Sequence, residues 1–262
     1  MEKLFIIKIG GNIIDNENNL ISFLKDFSSI NEKKILVHGG GKIATQIGDK
    51  LGIQSKYLDG RRITDKETID LVTMVYGGLI NKKIVTRLQG LGCNAIGLTG
   101  ADANLIPANK RPVKDIDYGF VGDIETGKLK AESIKLLLED KMIPVFAPLT
   151  HDGHGQILNT NADTIASALA VSLSGEYEIR LIYCFEKKGV LENVKNENDV
   201  VPLINKTIYQ RLTEEKALSD GIIPKVDNAL DAIAKGVREV VIGHADDLLQ
   251  NITDHIKGTL IQ

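Results

Sequence analysis

The chain has 262 residues, 43% of them hydrophobic, and a formal net charge of −3. That length supports a sizeable core in one large domain or two lobes, and the interspersed charges leave no basic field for nucleic acid and no charged tail for a membrane. No apolar run is long enough to span a bilayer, and the N-terminus enters a strand without the charged head, apolar run and cleavage site of a signal peptide, so a cytoplasmic protein is expected.

Residues 4–9 are apolar and β-branched apart from Lys8, and read as a buried strand. A lysine there needs an anionic partner or water at the strand's end. Gly10-Gly11 follow at once, and bare glycine amides beside a cation make an anion site, with phosphate the natural anion. A snorkelling lysine before an ordinary turn is the alternative. Residues 34–38 form a second strand that runs into His38-Gly39-Gly40-Gly41, with a helix from Lys42. Ile43, Ile47 and Leu51 mark its expected apolar stripe and Gly52 its stop. His38 reads as a space-filling residue at the strand end. A Walker A loop is excluded, because Ile43 follows Gly41-Lys42 and Leu36 stands where the first glycine belongs. Gly39 to Ala44 does satisfy a dinucleotide fingerprint, with Asp59 about 20 residues on as a ribose acid. That reading leaves Lys8 and Gly10-Gly11 unexplained.

Arg61-Arg62 form either a solvated pair or a fork for a carboxylate. Thr64-Asp65-Lys66-Glu67 has the pattern of a capping box before a helix reaching Leu79. Helical segments at 83–91 and 131–139 alternate with strand-like runs at 93–98 and 143–147. Pro107, Pro112, Gly119, Gly122 and Gly127 interrupt residues 104–128, which read as a β-hairpin or lid-like excursion. His151 and His154 fit a hairpin turn better than a metal site. Asn159-Thr160-Asn161-Ala162-Asp163 then precedes an Ala-rich helix over 164–173. Capping accounts for Asp163, and leaves the two asparagines unexplained. Strands at 179–185 and 239–242 flank Ser219-Asp220-Gly221-Ile222-Ile223-Pro224-Lys225 and a helix over 225–237. Lys225 at a helix start opposes the dipole, so it should answer a nearby anion. Cys93 and Cys184 lie in apolar runs and read as buried, reduced thiols.

This alternation predicts an α/β protein, a three-layer α/β/α sandwich with a mainly parallel central sheet and ligands at the carboxyl ends of its strands. Without a clear linker, residues 1–170 and 171–262 are expected to be two lobes of one continuous domain.

Lys8-Ile9-Gly10-Gly11, His38-Gly39-Gly40-Gly41, Gly60-Arg61-Arg62-Ile63-Thr64-Asp65, Asn81-Lys82, Asn159 to Asp163, Ser219 to Val226 and Gly258-Thr259-Leu260-Ile261 resemble, in order and spacing, the amino acid kinase family. The similarity is greatest to its members that act on N-acetyl-L-glutamate in arginine biosynthesis. The resemblance implies phosphorylation of the γ-carboxylate by ATP with Mg²⁺. It implies that Lys8 and Lys225 stabilise the transferring phosphoryl group and that Asp163 positions both. Gly11 and Gly40 would donate amides, and Gly40, Gly41, Arg62 and Asn159 would hold the substrate. Lys8, Gly10, Gly11, Glu186, Gly189, Ser219 and Lys225 would hold the nucleotide, within segments 186–191 and 217–219. The N-terminal lobe would carry the N-acyl-L-glutamate and the dimer contact, and the C-terminal lobe would carry ATP. The start of the chain at the first strand implies a homodimer, since arginine-inhibited hexamers of the family carry a preceding helix. The chemistry fits the residues independently. Phosphoryl transfer to a carboxylate already ionised at neutral pH needs positioning and charge stabilisation, and no general base.

Two positions depart from the family pattern. Glu186 stands where an aspartate is usual, and its longer side chain alters the expected nucleotide contact. Arg61 stands where an apolar residue lines the acyl pocket. It either turns to solvent or meets a second carboxylate, as on an N-succinyl group.

Overall fold

The computed structural model describes residues 1–58, 60–192, 196, 199–215, 218 and 222–262. In chain order, β1 (Glu2–Ile9) leads through α1 (Gly11–Asp15) and α2 (Glu17–Ser29) to β2 (Lys33–His38) and α3 (Gly41–Leu51). A hairpin of β3 (Lys56–Leu58) and β4 (Arg61–Ile63) precedes α4 (Lys66–Val72), a π-helical segment Thr73–Ile80, and α5 (Asn81–Gly90). Then come β5 (Ala95–Leu98), the antiparallel pair β6 (Ala108–Lys110) and β7 (Gly122–Ile124), α6 (Ala131–Glu139) and β8 (Ile143–Phe146). A second hairpin, β9 (Leu149–His151) and β10 (Ile157–Asn159), leads into α7 (Ala162–Leu173). The chain continues through β11 (Tyr177–Phe185), β12 (Leu203–Ile204), α8 (Lys206–Glu214), α9 (Ile223–Ala234), β13 (Glu239–His244), α10 (Leu248–Asn251) and β14 (Thr259–Ile261).

Eight strands form one sheet in the order β12-β14-β13-β11-β1-β2-β8-β5, parallel throughout except between β13 and β14. Helical crossovers cover both faces, as parallel strands require. The period of two along β1 divides the core. Leu4 and Ile6 pack with Ala166 and Leu169 of α7 and Val226 of α9. Phe5, Ile7 and Ile9 pack with Phe23 and Leu24 of α2, Ile69 of α4 and Leu248 of α10. Three layers therefore stand as expected. Lys8 shares the parity of Leu4 and Ile6, so it leaves the strand on the side of α7.

Several elements differ from the sequence expectation. The helical segments expected before Leu79 and over 83–91 form one rod running from Lys66 to Gly90 through the π-helical turns. Its cap is Asp65, whose side chain accepts from Thr68 N at 2.9 Å, and Thr64 is not the cap. On α3 the buried positions are Ala44 and Gly48, while Leu51 is 59% exposed. The helix packs so closely that a Cβ on Gly48 would sit 2.8 Å from Ile53 O and from the Leu71 side chain. The stop at Gly52 holds, with φ of 77° and its N–H on the carbonyls of Gly48 and Asp49. The helix expected over 225–237 runs instead from Ile223 to Ala234.

One buried cation was not singled out from sequence. Lys34 is 4% exposed and its Nζ donates to the carbonyls of Phe27, Ser28 and Ile30 at 2.8, 3.1 and 2.6 Å, closing the C-terminal end of α2. Burial pushes its ammonium below the usual lysine range. Lys34→Met keeps the stem but removes three charge-assisted donors, and is expected to cost about 1–3 kcal/mol. The check is urea unfolding, with a lower midpoint and an unchanged slope.

Candidate active site

The carboxyl ends of β1 and β2 lie side by side, with Ile9 paired to His38. Each ends in glycine, and the first glycine of each junction has its amide engaged. Gly10 N–H donates to Cys184 O at 3.1 Å, and Gly39 N–H to Ile9 O at 3.2 Å. Gly10 is thus not the bare donor expected of it. Gly11 and Gly41 open α1 and α3, where amides have no intrahelical acceptor. Gly40 adopts φ of 151°, and a Cβ there would lie 2.3 Å from Ile80 Cδ1 at the end of the π-helical segment. Only glycine fits that place.

His38 supports this loop from below. It is fully buried, and burial pushes its pKa down to about 4, against the opposing hydrogen bond to Gly39. Asn81 Nδ2 lies 3.2 Å from His38 Nε2 and donates to Val145 O at 2.9 Å, while Lys82 Nζ donates to Asn81 Oδ1. An amide nitrogen only donates, so Nε2 accepts and Nδ1 carries the proton to Gly39 O at 2.8 Å. The space-filling role read from sequence omits this fixed tautomer.

Facing the glycines is a three-charge cluster. Asn161 caps α7, accepting from Asp163 N at 2.7 Å and Thr164 N at 3.3 Å. The capping role expected of Asp163 therefore belongs to Asn161. Asp163 stands in the first turn with its carboxylate between two lysines. Lys225 Nζ, from the first turn of α9, donates to Oδ2 at 2.6 Å. Lys8 Nζ lies 2.7 Å from Oδ1, an ion-pair contact outside hydrogen-bond geometry. The three side chains are 13%, 14% and 26% exposed for Lys8, Asp163 and Lys225. Burial pushes the Asp163 carboxyl up, and the two lysines overcome it, holding it at about 2. Two cations on one carboxylate leave a positive excess beside free helix amides, a geometry that favours an anion.

Arg62 is 7% exposed and its Nη2 donates to Gly41 O at 2.8 Å and Thr45 Oγ1 at 2.9 Å, with Nη1 on Ser55. Asn159, at the end of β10, donates to Thr64 Oγ1 at 3.0 Å. Arg61 projects from the other face of β4 and is exposed. Glu186 is exposed beyond the end of β11 and accepts from Asn12 Nδ2, while Asn12 accepts from Lys42 Nζ. Sequence reasoning gave Asn12 and Lys42 no part. Their signal was position, each directly after a glycine junction. Gly189 is buried, and a Cβ on it would lie 2.7 Å from the side chains of Thr259 and Val200, so close packing also favours glycine there. Ser219, the neighbouring Ala217 and the fingerprint's Asp59 lie outside the described residues. His151 sits in the β9–β10 hairpin, bonded to Asn104 at 2.9 Å. Cys93 and Cys184 are buried free thiols, and burial pushes Cys184 up to about 12. Among the described residues, no group of three or more His, Cys, Asp or Glu could hold a metal, and no helix is long and apolar enough to cross a membrane.

Residues 3–244 match the profile of the Amino acid kinase family. A protein named acetylglutamate kinase from Cytophaga hutchinsonii is 55% identical over 256 residues, covering 97% of this chain and 96% of the relative. A protein of the same name from Bacteroides thetaiotaomicron is 51% identical, covering 98% of this chain and 99% of its own length. Among solved structures, smu.665 from Streptococcus mutans superposes with a TM-score of 0.79 at 30% identity, over 99% of this chain and 98% of that one.

The depressed pKa of His38 makes a pH prediction. In the unfolded chain the imidazole protonates below about 6.5, whereas in the fold it stays neutral down to about 4. Stability is therefore expected to fall as pH drops from 6.5 to 4, by up to about 3 kcal/mol. Denaturant unfolding at several pH values should show this slope, reduced in His38→Asn, and imidazole NMR at pH 5.5 should find Nε2 unprotonated. A His38 midpoint near 6.5 contradicts the buried neutral form.

Proposed function

The chain belongs to the amino acid kinase family, and from that premise we propose that it transfers the γ-phosphoryl group of ATP to the γ-carboxylate of N-acetyl-L-glutamate, in arginine biosynthesis. The products are the acyl phosphate and ADP. The observation that carries the reading is the carboxylate of Asp163 between Lys8 and Lys225, two cations drawn from opposite ends of the chain to one point beside the glycine amides. A phosphoryl group in transfer spreads charge over its equatorial oxygens, and catalysis consists mostly of positioning that charge and stabilising it.

Lys8 and Lys225 approach the phosphoryl oxygens from two sides, and Asp163 keeps both ammonium groups aimed. Gly11 and Gly40 donate their amides to the phosphoryl group or the reacting carboxylate. Gly40, Gly41, Arg62 and Asn159 hold the substrate, with Arg62 and Asn159 on its α-carboxylate. The attacking carboxylate is ionised at neutral pH, so no proton leaves it. The nucleotide extends toward Glu186, Ser219 and the neighbouring segments of the C-terminal lobe. Mg²⁺ would be carried by the phosphates and water and would neutralise phosphate charge, in keeping with the described residues forming no acidic cage of their own. The protein acts as a homodimer on this reading, and exposed Met74 and Leu79 of the π-helical segment offer apolar surface for pairing. The nicotinamide reading of the Gly39–Ala44 turn is not favoured by these relatives.

The test is MgATP-dependent ADP release with N-acetyl-L-glutamate. Lys8→Ala, Lys225→Ala and Asp163→Asn are each expected to lower kcat by about 10²-fold or more, with KM changed far less. An unchanged kcat in any of the three removes that residue from the mechanism. No turnover by the wild-type chain removes the function.

A further inference from the structure

Asn12 and Lys42 each stand directly after a glycine junction, outside the groups assigned to phosphoryl transfer and to the substrate. Asn12 is the second residue of α1 and Lys42 the second of α3, and neither helix has a side-chain cap. Lys42 sets a cation in the first turn of a helix, against the dipole, so it calls for an anion. Asp15 Oδ2 lies 3.8 Å from its Nζ, an ion-pair distance beyond hydrogen bonding. The ammonium instead donates to Asn12 Oδ1, and Asn12 Nδ2 in turn donates to Glu186 Oε2.

The three side chains stand in the order of the strands beneath them. β11, β1 and β2 are neighbours in the sheet, and Glu186, Asn12 and Lys42 follow their carboxyl ends. The two bonds join groups 174 and 30 residues apart in sequence. The row borders the charge cluster: a Cβ on Gly10 would lie 3.7 Å from Phe185 Cβ, and Lys225 Nζ lies 5.8 Å from the centre of the Phe185 ring. Charge sets the orientation of the Asn12 amide. Its oxygen meets an ammonium and its nitrogen a carboxylate, and the reverse setting would put donor against donor and acceptor against acceptor. Both bonds are charge-assisted, and each polarises the amide in favour of the other. The glutamate side chain supplies the reach, since an aspartate would end one methylene, about 1.5 Å, short.

We propose that Asn12 is a positioning residue for the nucleotide: its amide ties the Glu186 carboxylate to the Lys42 ammonium, and so fixes where the Glu186 side chain stands before ATP arrives. The inference rests on the kinase reading, in which ATP extends toward Glu186. Glu186 is exposed, and an untethered glutamate there would lose rotamer freedom each time a nucleotide bound. The tether removes that cost in advance. Lys42 also offsets negative charge that Glu186 and Asp15 would otherwise set against the phosphates. Among the described residues, the Lys8–Asp163–Lys225 cluster and the pair Arg62–Asn159 share no hydrogen bond or ion pair with these three side chains. Asn12 therefore acts on nucleotide binding, and leaves the acyl-glutamate and the transfer step alone.

The test measures kcat, and KM for MgATP and for N-acetyl-L-glutamate separately, in the wild-type chain, Asn12→Ala, Glu186→Asp and their double variant. Asn12→Ala is expected to raise KM for MgATP about tenfold, with kcat and KM for the acyl-glutamate within about twofold of wild type. Glu186→Asp breaks the same contact, so the double variant is expected to match the worse single variant instead of multiplying the two effects. A second pair separates hydrogen-bond polarity from packing. Asn12→Asp sets carboxylate against carboxylate and is expected to weaken MgATP more than Asn12→Ala does. Adding Glu186→Gln restores a donor–acceptor contact in the reversed direction, and is expected to recover most of that loss. KM does not depend on the amount of active protein, so loss of folded protein does not imitate these effects. With the wild type active, an MgATP KM that Asn12→Ala leaves unmoved overturns the inference and leaves the kinase reading standing. So do effects that multiply in the double variant, or an Asn12→Asp loss that Glu186→Gln does not recover. No turnover by the wild type overturns both.

Discussion

One half-buried carboxylate holds the candidate site together. Asp163 lies on α7, Lys8 on β1 and Lys225 on α9, elements far apart in sequence whose common meeting point is the carboxyl edge of the sheet. Burying three ionic groups is costly unless each is paired. Here the pairing is incomplete by design of the numbers, since two positive charges meet one negative. The residual positive charge favours an anion, and on the proposed reading a substrate that brings phosphate and carboxylate charge supplies it.

The glycine side of the centre is held by packing instead of charge. The rod from Lys66 to Gly90 ends its π-helical turns at Ile80, whose side chain fills the space a Cβ on Gly40 would need. The next residue, Asn81, fixes the His38 tautomer, and His38 fixes the Gly39 carbonyl. A π-helical segment shifts the register of the following turn, which brings Ile80 and Asn81 to the loop together. Two successive residues of one helix thus set both the shape and the hydrogen bonding of a loop that starts another.

Much of this was legible in the sequence because local patterns and global position agreed. The alternation of apolar runs with helical segments foretold the parallel sheet, and the two strand-to-glycine junctions read from sequence lie together at its carboxyl edge. Lys225 at a helix start, against the dipole, required an anion, and Asp163 is that anion. Legibility failed where a residue's role depends on a neighbour distant in the chain. Asp163 and Asn161 both suit an N-cap, and only the approach of Lys8 and Lys225 assigns the cap to Asn161. Gly189 packs against Thr259 and Val200, a constraint from residues distant in the chain that local sequence does not show. Lys34 is the strand residue it was read to be, and its second role stayed hidden because the carbonyls it closes belong to a helix that sequence spacing cannot place above it.

Arg61 and Arg62 show what a two-residue period adds to composition. Side by side in sequence they form a single basic dipeptide, but on β4 they face opposite ways. Arg62 turns inward onto Gly41 and Thr45, where its fork is partly filled by the protein's own oxygens. Arg61 turns toward the β6–β7 excursion, where no hydrogen-bond or ion-pair partner meets it among the described residues. A strand presents successive side chains to its two faces, so the two guanidinium groups diverge and do not act as one basic fork.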